Sequence, residues 1–402
     1  MLKIAQRKCP ICGVVLADVL YTQRFSLPNK MMLPTIYDVV ACSKCDFVYA
    51  DTSALQKDYD LFYTEMSKYE EPEIASGGGN TPWDRVRLTR VANDLASYID
   101  KSAAILDIGC ANGGLLSILK ERGFNNLTGL DQSTVCVSYI KKAHGIRVVQ
   151  GGIFNKQFED MGFMEEKFDL VILSHVLEHI CDLQSAIDFI GRKLKENALL
   201  YIETPDAARY FRYPKVPFYY FDCEHINHFD LQHLKMLFET KGYSVQWYAQ
   251  KEFLVSEDML YPAAALLLKK GYKYNEIDLK HEDTAKISVL KHIEQSIAEQ
   301  NYDNINHLAD QYDEIIIWGT GQYTLRLLEN SRLGECNIIA FIDNDKGKQG
   351  MMLKGKKVYG PDFLEKSGCT VLICSALYAN EISKQIKSMG TKRKIFSPTE
   401  TF

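Results

Sequence analysis

Ala103-Ala104-Ile105-Leu106-Asp107-Ile108-Gly109-Cys110-Ala111-Asn112-Gly113-Gly114-Leu115-Leu116, closed further on by Leu127-Thr128-Gly129-Leu130-Asp131, is the stretch on which the fold turns. The apolar run ending at Asp107 predicts a buried strand. Glycines at 109, 113 and 114 predict a tight turn, and Leu115, Leu116 and Leu119 fall at helical spacing. A second short strand then ends on Asp131. Strand, glycine turn, helix, strand and acid is the opening of a doubly wound α/β domain, whose ligand sits at the carboxyl ends of the strands. The glycines admit close backbone approach to a ligand, and an acid ending the second strand can accept from ribose hydroxyls.

The spacing decides between ligands. A dinucleotide fingerprint would read Gly-x-Gly-x-x-Gly, whereas Asp107 here precedes Gly109-Cys110-Ala111-Asn112-Gly113. A carboxylate in the turn repels a pyrophosphate and can hold an ammonium group. The segment resembles motif I of the class I S-adenosylmethionine methyltransferases, with Ala111 where that motif usually shows glycine. Phe168-Asp169-Leu170-Val171-Ile172-Leu173-Ser174-His175-Val176-Leu177-Glu178-His179 resembles their fourth strand and the turn after it. The resemblance implies S-adenosylmethionine as cofactor, held by Asp107, Gly109, Cys110, Ala111, Gly113, Asp131 and Gln132. It also implies Ile153 and Phe154, in the loop after Val148–Gly152, and Ser174 and His175.

At 402 residues the chain is too long for one core, and two or three domains are expected. The net charge of -5 is spread without a basic block, so neither nucleic acid nor an anionic membrane is an expected partner. Met1–Gln6 lacks an apolar leader and the longest apolar run, Ala263–Leu268, is too short to span a bilayer, so a cytoplasmic protein is expected. Eleven cysteines are many for that compartment. Four form two C-x-x-C pairs, and most of the others, single and in apolar surroundings, read as reduced core residues.

Those pairs are Cys9-Pro10-Ile11-Cys12 and Cys42-Ser43-Lys44-Cys45. Two residues between thiolates let one tight turn aim both sulfurs at a single tetrahedral ion, so structural zinc is expected on Cys9, Cys12, Cys42 and Cys45. Four thiolates leave no position open for catalysis. The following segment carries Tyr59, Tyr63 and Tyr69 ahead of Gly77-Gly78-Gly79-Asn80-Thr81-Pro82, read as a flexible loop. It reads either as a lid over substrate, with Tyr69 in the site, or as packing between the zinc module and the core. A helix over Trp83–Tyr98 should be capped by Thr81 with Pro82 in its first turn.

His175-Val176-Leu177-Glu178-His179 formally matches H-x-x-E-H, a metalloprotease pattern. It follows directly on a buried strand and no third ligand is evident in sequence, so the metal reading is rejected. Glu178 and His179 are expected to brace the next helix. Beyond the fifth strand (Ala198–Asp206), an aromatic loop broken by Pro214 and Pro217 delivers Cys223-Glu224-His225-Ile226-Asn227-His228-Phe229-Asp230. A helix is expected over Leu231–Lys241. Two imidazoles and a carboxylate at the strand ends make His225, Glu224 and His228 the general-base candidates, with His228 alternatively capping that helix.

Lys251–Tyr312 reads as mostly amphipathic helix and connector. Glu314–Leu325 then repeats the strand-glycine-helix device with Gly319-Thr320-Gly321, and Asn337–Ile342 ends at Asp343. Thr324 stands at the third glycine position, so the match to a dinucleotide turn is imperfect. A smaller second α/β domain follows, whose helix N-terminus could hold a phosphate-bearing substrate or which only packs or dimerises.

Taken together, the paired C-x-x-C, Asp107–Gly114 and Glu224-His225-Ile226-Asn227-His228-Phe229 resemble the three-domain, zinc-containing sugar C-methyltransferases. The resemblance implies an α/β chain with a zinc-binding module over 1–60, a Rossmann-like methyltransferase domain over 61–250 and a smaller Rossmann-like domain over 251–402. It implies a small-molecule substrate, a nucleotide-linked 4-keto-deoxysugar, lying between the last two domains of a monomer or homodimer. His225 would remove the proton beside the ketone, with Glu224 its partner. Asp222 and Cys223 stand where that family usually carries a tyrosine and a histidine. An oxygen or nitrogen methyltransferase acting on a glycan or secondary metabolite, and a non-catalytic cofactor-binding scaffold, are the alternatives.

Overall fold

The computed structural model describes residues 1–65, 78–154, 163–257, 259–271, 284–300, 302–390 and 393–398. Its first sheet is an antiparallel meander of β1 (Leu2–Ile4), β2 (Leu16–Arg24), β3 (Ile36–Cys42) and β4 (Val48–Asp51). The Cys9–Cys12 pair precedes β2 and the Cys42–Cys45 pair starts at the last residue of β3, so the β2–β3 ladder brings the two turns side by side. Each turn closes alike. The Gly13 N–H donates to the Cys9 carbonyl at 2.8 Å and the Asp46 N–H to the Cys42 carbonyl at 3.0 Å.

The second sheet is the one foreseen from Ala103–Asp131. Its parallel strands β5 (Ile105–Ile108), β6 (Leu127–Asp131), β7 (Arg147–Gln150), β8 (Phe168–Ser174) and β9 (Leu194–Pro205) lie in the order β7-β6-β5-β8-β9. The order reverses at β5, which opens the crevice at the carboxyl ends of β5 and β8. Helix Pro82–Ala96 starts as expected: the Thr81 hydroxyl accepts from the Asp84 N–H and proline occupies the first turn. The glycines before it serve contact. A Cβ on Gly79 would lie 2.4 Å from the Gly114 Cα, and one on Gly114 would lie 2.5 Å from the Gly79 Cα. Two backbones meet there, and only glycine on both sides permits it.

Two expectations need correction. Beyond β9 the chain first makes a short strand, β10 (Asn227–His228), which pairs with β4 of the first sheet. His228 lies in it fully buried, and the helix that follows, Leu231–Glu239, is capped by Asp230, whose carboxylate accepts from the His233 N–H at 2.8 Å. Second, the helical reading from Lys251 fails at its start. β11 (Tyr243–Ser256) and β12 (Met259–Lys270) form an antiparallel hairpin that extends the second sheet through β9. Ala263–Leu268 is buried along its whole length because it lies inside that sheet, which an apolar run without alternation could not reveal. The boundary expected at 250 therefore falls within a strand. Helices Ala285–Glu299 and Asp303–Gln311 do follow.

The third sheet contains β13 (Ile315–Trp318), β14 (Ile338–Ile342), β15 (Met352–Leu353), β16 (Lys356–Tyr359), β17 (Thr370–Ile373) and β18 (Ile395–Phe396), in the order β15-β16-β14-β13-β17-β18. Its centre is parallel, as expected of a second, smaller α/β unit. All eleven cysteines are free. Among the described residues no helix is long and apolar enough to cross a membrane.

Candidate functional site

At the β5–β8 crevice lies a cavity of about 320 Å³. Of the residues expected at a cofactor, Asp107, Gly109, Cys110, Ala111, Asp131, Gln132, Ile153, Phe154, Ser174 and His175 all line it. Gly113 does not; it supports the turn from behind, against Ile140. Gly109 has φ +71° and a Cβ there would lie 2.7 Å from Val176, so the turn can be this tight only with glycine. Two non-glycine residues at the cavity also take positive φ, Ala111 at +47° and His175 at +57°. Left-handed backbone costs an L-residue about 1–2 kcal/mol. Ala111→Gly is therefore expected to raise stability by about 1 kcal/mol, after allowance for the looser unfolded chain, with cofactor affinity kept. Urea unfolding with and without cofactor measures both.

Asp131 organises the turn: it accepts from the Ala111 N–H at 2.8 Å and the Ser133 N–H at 2.9 Å. Asp107 is 4% exposed. Burial and then the nearby Asp131 charge push its pKa up to about 8, against the pull of Arg87. Burial likewise pushes Asp131 up to about 6. Buried carboxyls raised in this way call for a cation and for hydroxyl donors, and an ammonium group with a ribose supplies both. The sign follows. Below pH 8 the empty site carries a proton on Asp107 that an ammonium must expel, so cofactor affinity should fall as pH drops from 7.5 to 6. Calorimetry in buffers of different ionisation heat should register the proton release, and at pH 7.5, where Asp131 is already ionised, Asp107→Asn should abolish it.

At the other end of the cavity are Tyr63, Glu178, His179, Glu224 and His225. Glu224 and His225 also line a second cavity, of about 610 Å³, whose far wall is the Gly319-Thr320-Gly321-Gln322 turn of the third sheet. His228 lines neither; it sits behind the loop against Tyr210 and Phe221, and burial pushes its pKa down to about 3. Tyr69 lies outside the described residues. Glu178 and His179 do not brace the next helix but face the cavity, with the Tyr63 hydroxyl 2.8 Å from His179 Nδ1 and 3.4 Å from Glu224 Oε2. Glu178 Oε1 lies 3.1 Å from His175 Nδ1. Burial opposes its charge, but the bond to His175 and the neighbouring imidazoles prevail and hold its pKa down at about 2.

The loop around His225 is held largely by the first sheet. The Arg7 guanidinium donates to the Ile226 carbonyl at 3.0 Å, the Cys181 carbonyl at 3.0 Å and Asn227 Oδ1 at 2.7 Å. Asn227 in turn donates to the carbonyls of Leu177 and Ile180. Gln23 donates to the Phe221 carbonyl and Tyr37 to that of Asp222. Asp222 accepts from the backbone N–H groups of Glu224 and His225 at 2.8 and 2.6 Å, which folds the loop back on itself. Beneath Ser174, near the end of β9, Glu203 is a buried carboxylate paired with Arg87 at 3.0 Å and bonded to Tyr201 at 2.7 Å. Arg7, Arg87, Glu203 and Asn227 escaped the sequence reading. Asn227 stood inside the quoted loop, but the others carry no local signal: Arg7 meets Ile226 across 219 residues and Arg87 meets Glu203 across 116.

The four cysteine sulfurs converge: Cys9 to Cys45 is 3.6 Å, Cys12 to Cys42 is 3.5 Å, and all lie within 4.8 Å of one another. A tetrahedron with Zn–S bonds of about 2.3 Å has edges of about 3.8 Å, so the residues present fit zinc.

Residues 83–246 match a family model described as a methyltransferase domain, and residues 311–396 match one described as C2185-like, N-terminal. A ubiquinone biosynthesis O-methyltransferase of Rhizobium leguminosarum bv. trifolii is 30% identical over 103 residues, covering 25% of this chain and 39% of that protein. One from Pseudomonas aeruginosa is 28% identical over 153 residues, covering 35% of this chain and 65% of that protein. The chain thus spans less than two thirds of the length of these curated relatives. Among solved structures, the magnesium protoporphyrin IX methyltransferase of Synechocystis PCC 6803 aligns at a TM-score of 0.40 and 13% identity, covering 54% of this chain and 100% of that one. The middle of the chain is a class I S-adenosylmethionine-dependent methyltransferase domain.

Proposed function

We propose that the protein methylates carbon beside the ketone of a nucleotide-linked deoxysugar, using S-adenosylmethionine. The observation that carries this reading is that Glu224 and His225 line both cavities, so an acceptor anchored at the third sheet would reach the base beside the Asp107–Asp131 crevice. When bound, the sulfonium cofactor supplies an activated methyl group. The chain's own residues must then align the acceptor, remove a proton and steady the charge left behind. Alignment is worth up to about 7–11 kcal/mol. His225 takes the proton, with Glu224 beside it. The Tyr63 hydroxyl, bonded to His179, is placed to donate to an enolate oxygen. Arg326 lines the second cavity, is 4% exposed and donates to the Phe218 carbonyl; its charge supports an anionic group on the substrate. Cys9, Cys12, Cys42 and Cys45 hold a structural zinc ion that takes no part in the reaction.

The experiment is incubation of a nucleotide-linked ketosugar with the protein in heavy water, without cofactor. Deuterium entering beside the carbonyl is expected, and its absence while methyl transfer proceeds would transfer the acceptor from carbon to oxygen. The names of the curated relatives, both O-methyltransferases, favour that second reading: His225 would then take a hydroxyl proton and no enolate would form.

A further inference from the structure

We propose that Glu178, His179 and His225 form a divalent-metal site, separate from the four cysteines, at which a transition ion competes with the proton for His225. Each residue offers a ligand atom, and those atoms lie within 4.8 Å of one another. The cluster opens onto the 320 Å³ cavity, which leaves room for a water or substrate atom as a further ligand.

Two features point to a cation there. Glu178 is fully buried; its Oε1 is engaged by His175, while its Oε2 has no hydrogen-bond partner. A buried carboxylate oxygen left without a donor is costly unless a positive charge meets it. Next, His179 is oriented as metal-binding imidazoles are. Its Nδ1 lies 2.8 Å from the Tyr63 hydroxyl and 3.2 Å from the Glu224 carbonyl, which turns Nε2 towards Glu178, 4.0 Å from Oε1. Two imidazole nitrogens and one carboxylate suit zinc, cobalt or nickel and not magnesium or calcium. Of the H-x-x-E-H match only Glu178 and His179 join the cluster, His175 being engaged on Glu178 Oε1, and the remaining ligand is distant in sequence. The aromatic loop brings His225 to the pair, its ring centroid 4.7 Å from that of His179.

Occupation would put a metal bond on the base, displace its proton to solvent and stop proton removal until the ion leaves. This regulatory part rests on the assignment of His225 under the proposed function; the binding part does not. The test is titration of zinc-loaded protein, its cysteine site full, with Co²⁺ by calorimetry and visible absorption. One further equivalent is expected, with d–d bands and no thiolate charge-transfer band. Glu178→Gln and His179→Gln should each weaken it by more than the 10–100-fold typical of losing an outer partner, while the exposed His307→Gln should leave it unchanged. Retained zinc and an unchanged circular dichroism spectrum establish that the variants fold. No further equivalent in the wild type, or equal binding in both cluster variants, overturns the site. Methyl transfer should fall over the same Co²⁺ range, and binding without inhibition, or with stimulation, overturns the switch. If no methyl transfer is found at all, the functional reading fails while the binding titration still decides the site.

Discussion

His225→Ala should abolish turnover and leave S-adenosylmethionine binding intact. The two sets of residues are separable in space: Asp107 and Asp131 belong to β5 and β6 and Gly109 to the turn after β5, whereas His225 arrives on the loop before β10 at the far end of the cavity. Truncating it alters none of the residues expected at the cofactor and leaves the loop backbone fixed by Asp222, Arg7 and Tyr37. Loss of a positioned base costs about 10²–10⁴-fold. The upper end is expected for a carbon acceptor, because no other route makes the enolate. Deuterium exchange and methyl transfer should disappear together while calorimetry gives an unchanged cofactor affinity. Unchanged turnover would remove His225 from the reaction.

Cys9→Ser combined with Cys12→Ser should give insoluble protein without zinc, and any soluble fraction should be inactive. Structural zinc supplies about 10–16 kcal/mol of apparent folding free energy in small modules, comparable to the whole stability of a domain, about 5–15 kcal/mol. The consequence reaches the active loop through named bonds. β4 pairs with β10, Arg7 sits two residues before Cys9 and clamps Ile226 and Asn227, and His233 on the middle domain lies 2.8 Å from the Cys45 carbonyl. If the cysteines hold zinc, its loss should open both turns and cost Arg7 its anchor, leaving several buried carbonyls without a donor at about 1–3 kcal/mol each. Zinc content by atomic absorption, solubility and turnover together measure this. A soluble, active double variant would show that the metal is dispensable.

Local chemistry explains what was legible. Asp107, the glycine turn and Asp131 are neighbours in sequence because one strand-turn-helix-strand unit builds them. The cysteine pairs announce themselves by spacing, and the Glu224–His225 pair by its place beyond a parallel strand. Strand β12 was illegible, because an apolar run buried on both faces has no period to distinguish it from helix. His228 stayed a second candidate beside His225 for a related reason: three residues apart in an irregular loop, their directions depend on the pairing of β10 with β4, which no local pattern encodes.

The sequence by itself therefore determined the parallel core of the second sheet, the carboxylate-and-glycine turn after β5, and the thiolate set. Those depend on hydrogen bonds and side-chain spacing within a few tens of residues. Only the tertiary structure decided which histidines meet. It set His179 and His225 together with Glu178, turned His228 into the interior and spread the support of the loop over Arg7, Gln23 and Tyr37. The reason is that contacts far apart in the chain, from His179 with His225 to Arg7 with Ile226 across 219 residues, exist only once the sheets have packed. Until then each of these side chains reads as an ordinary polar residue.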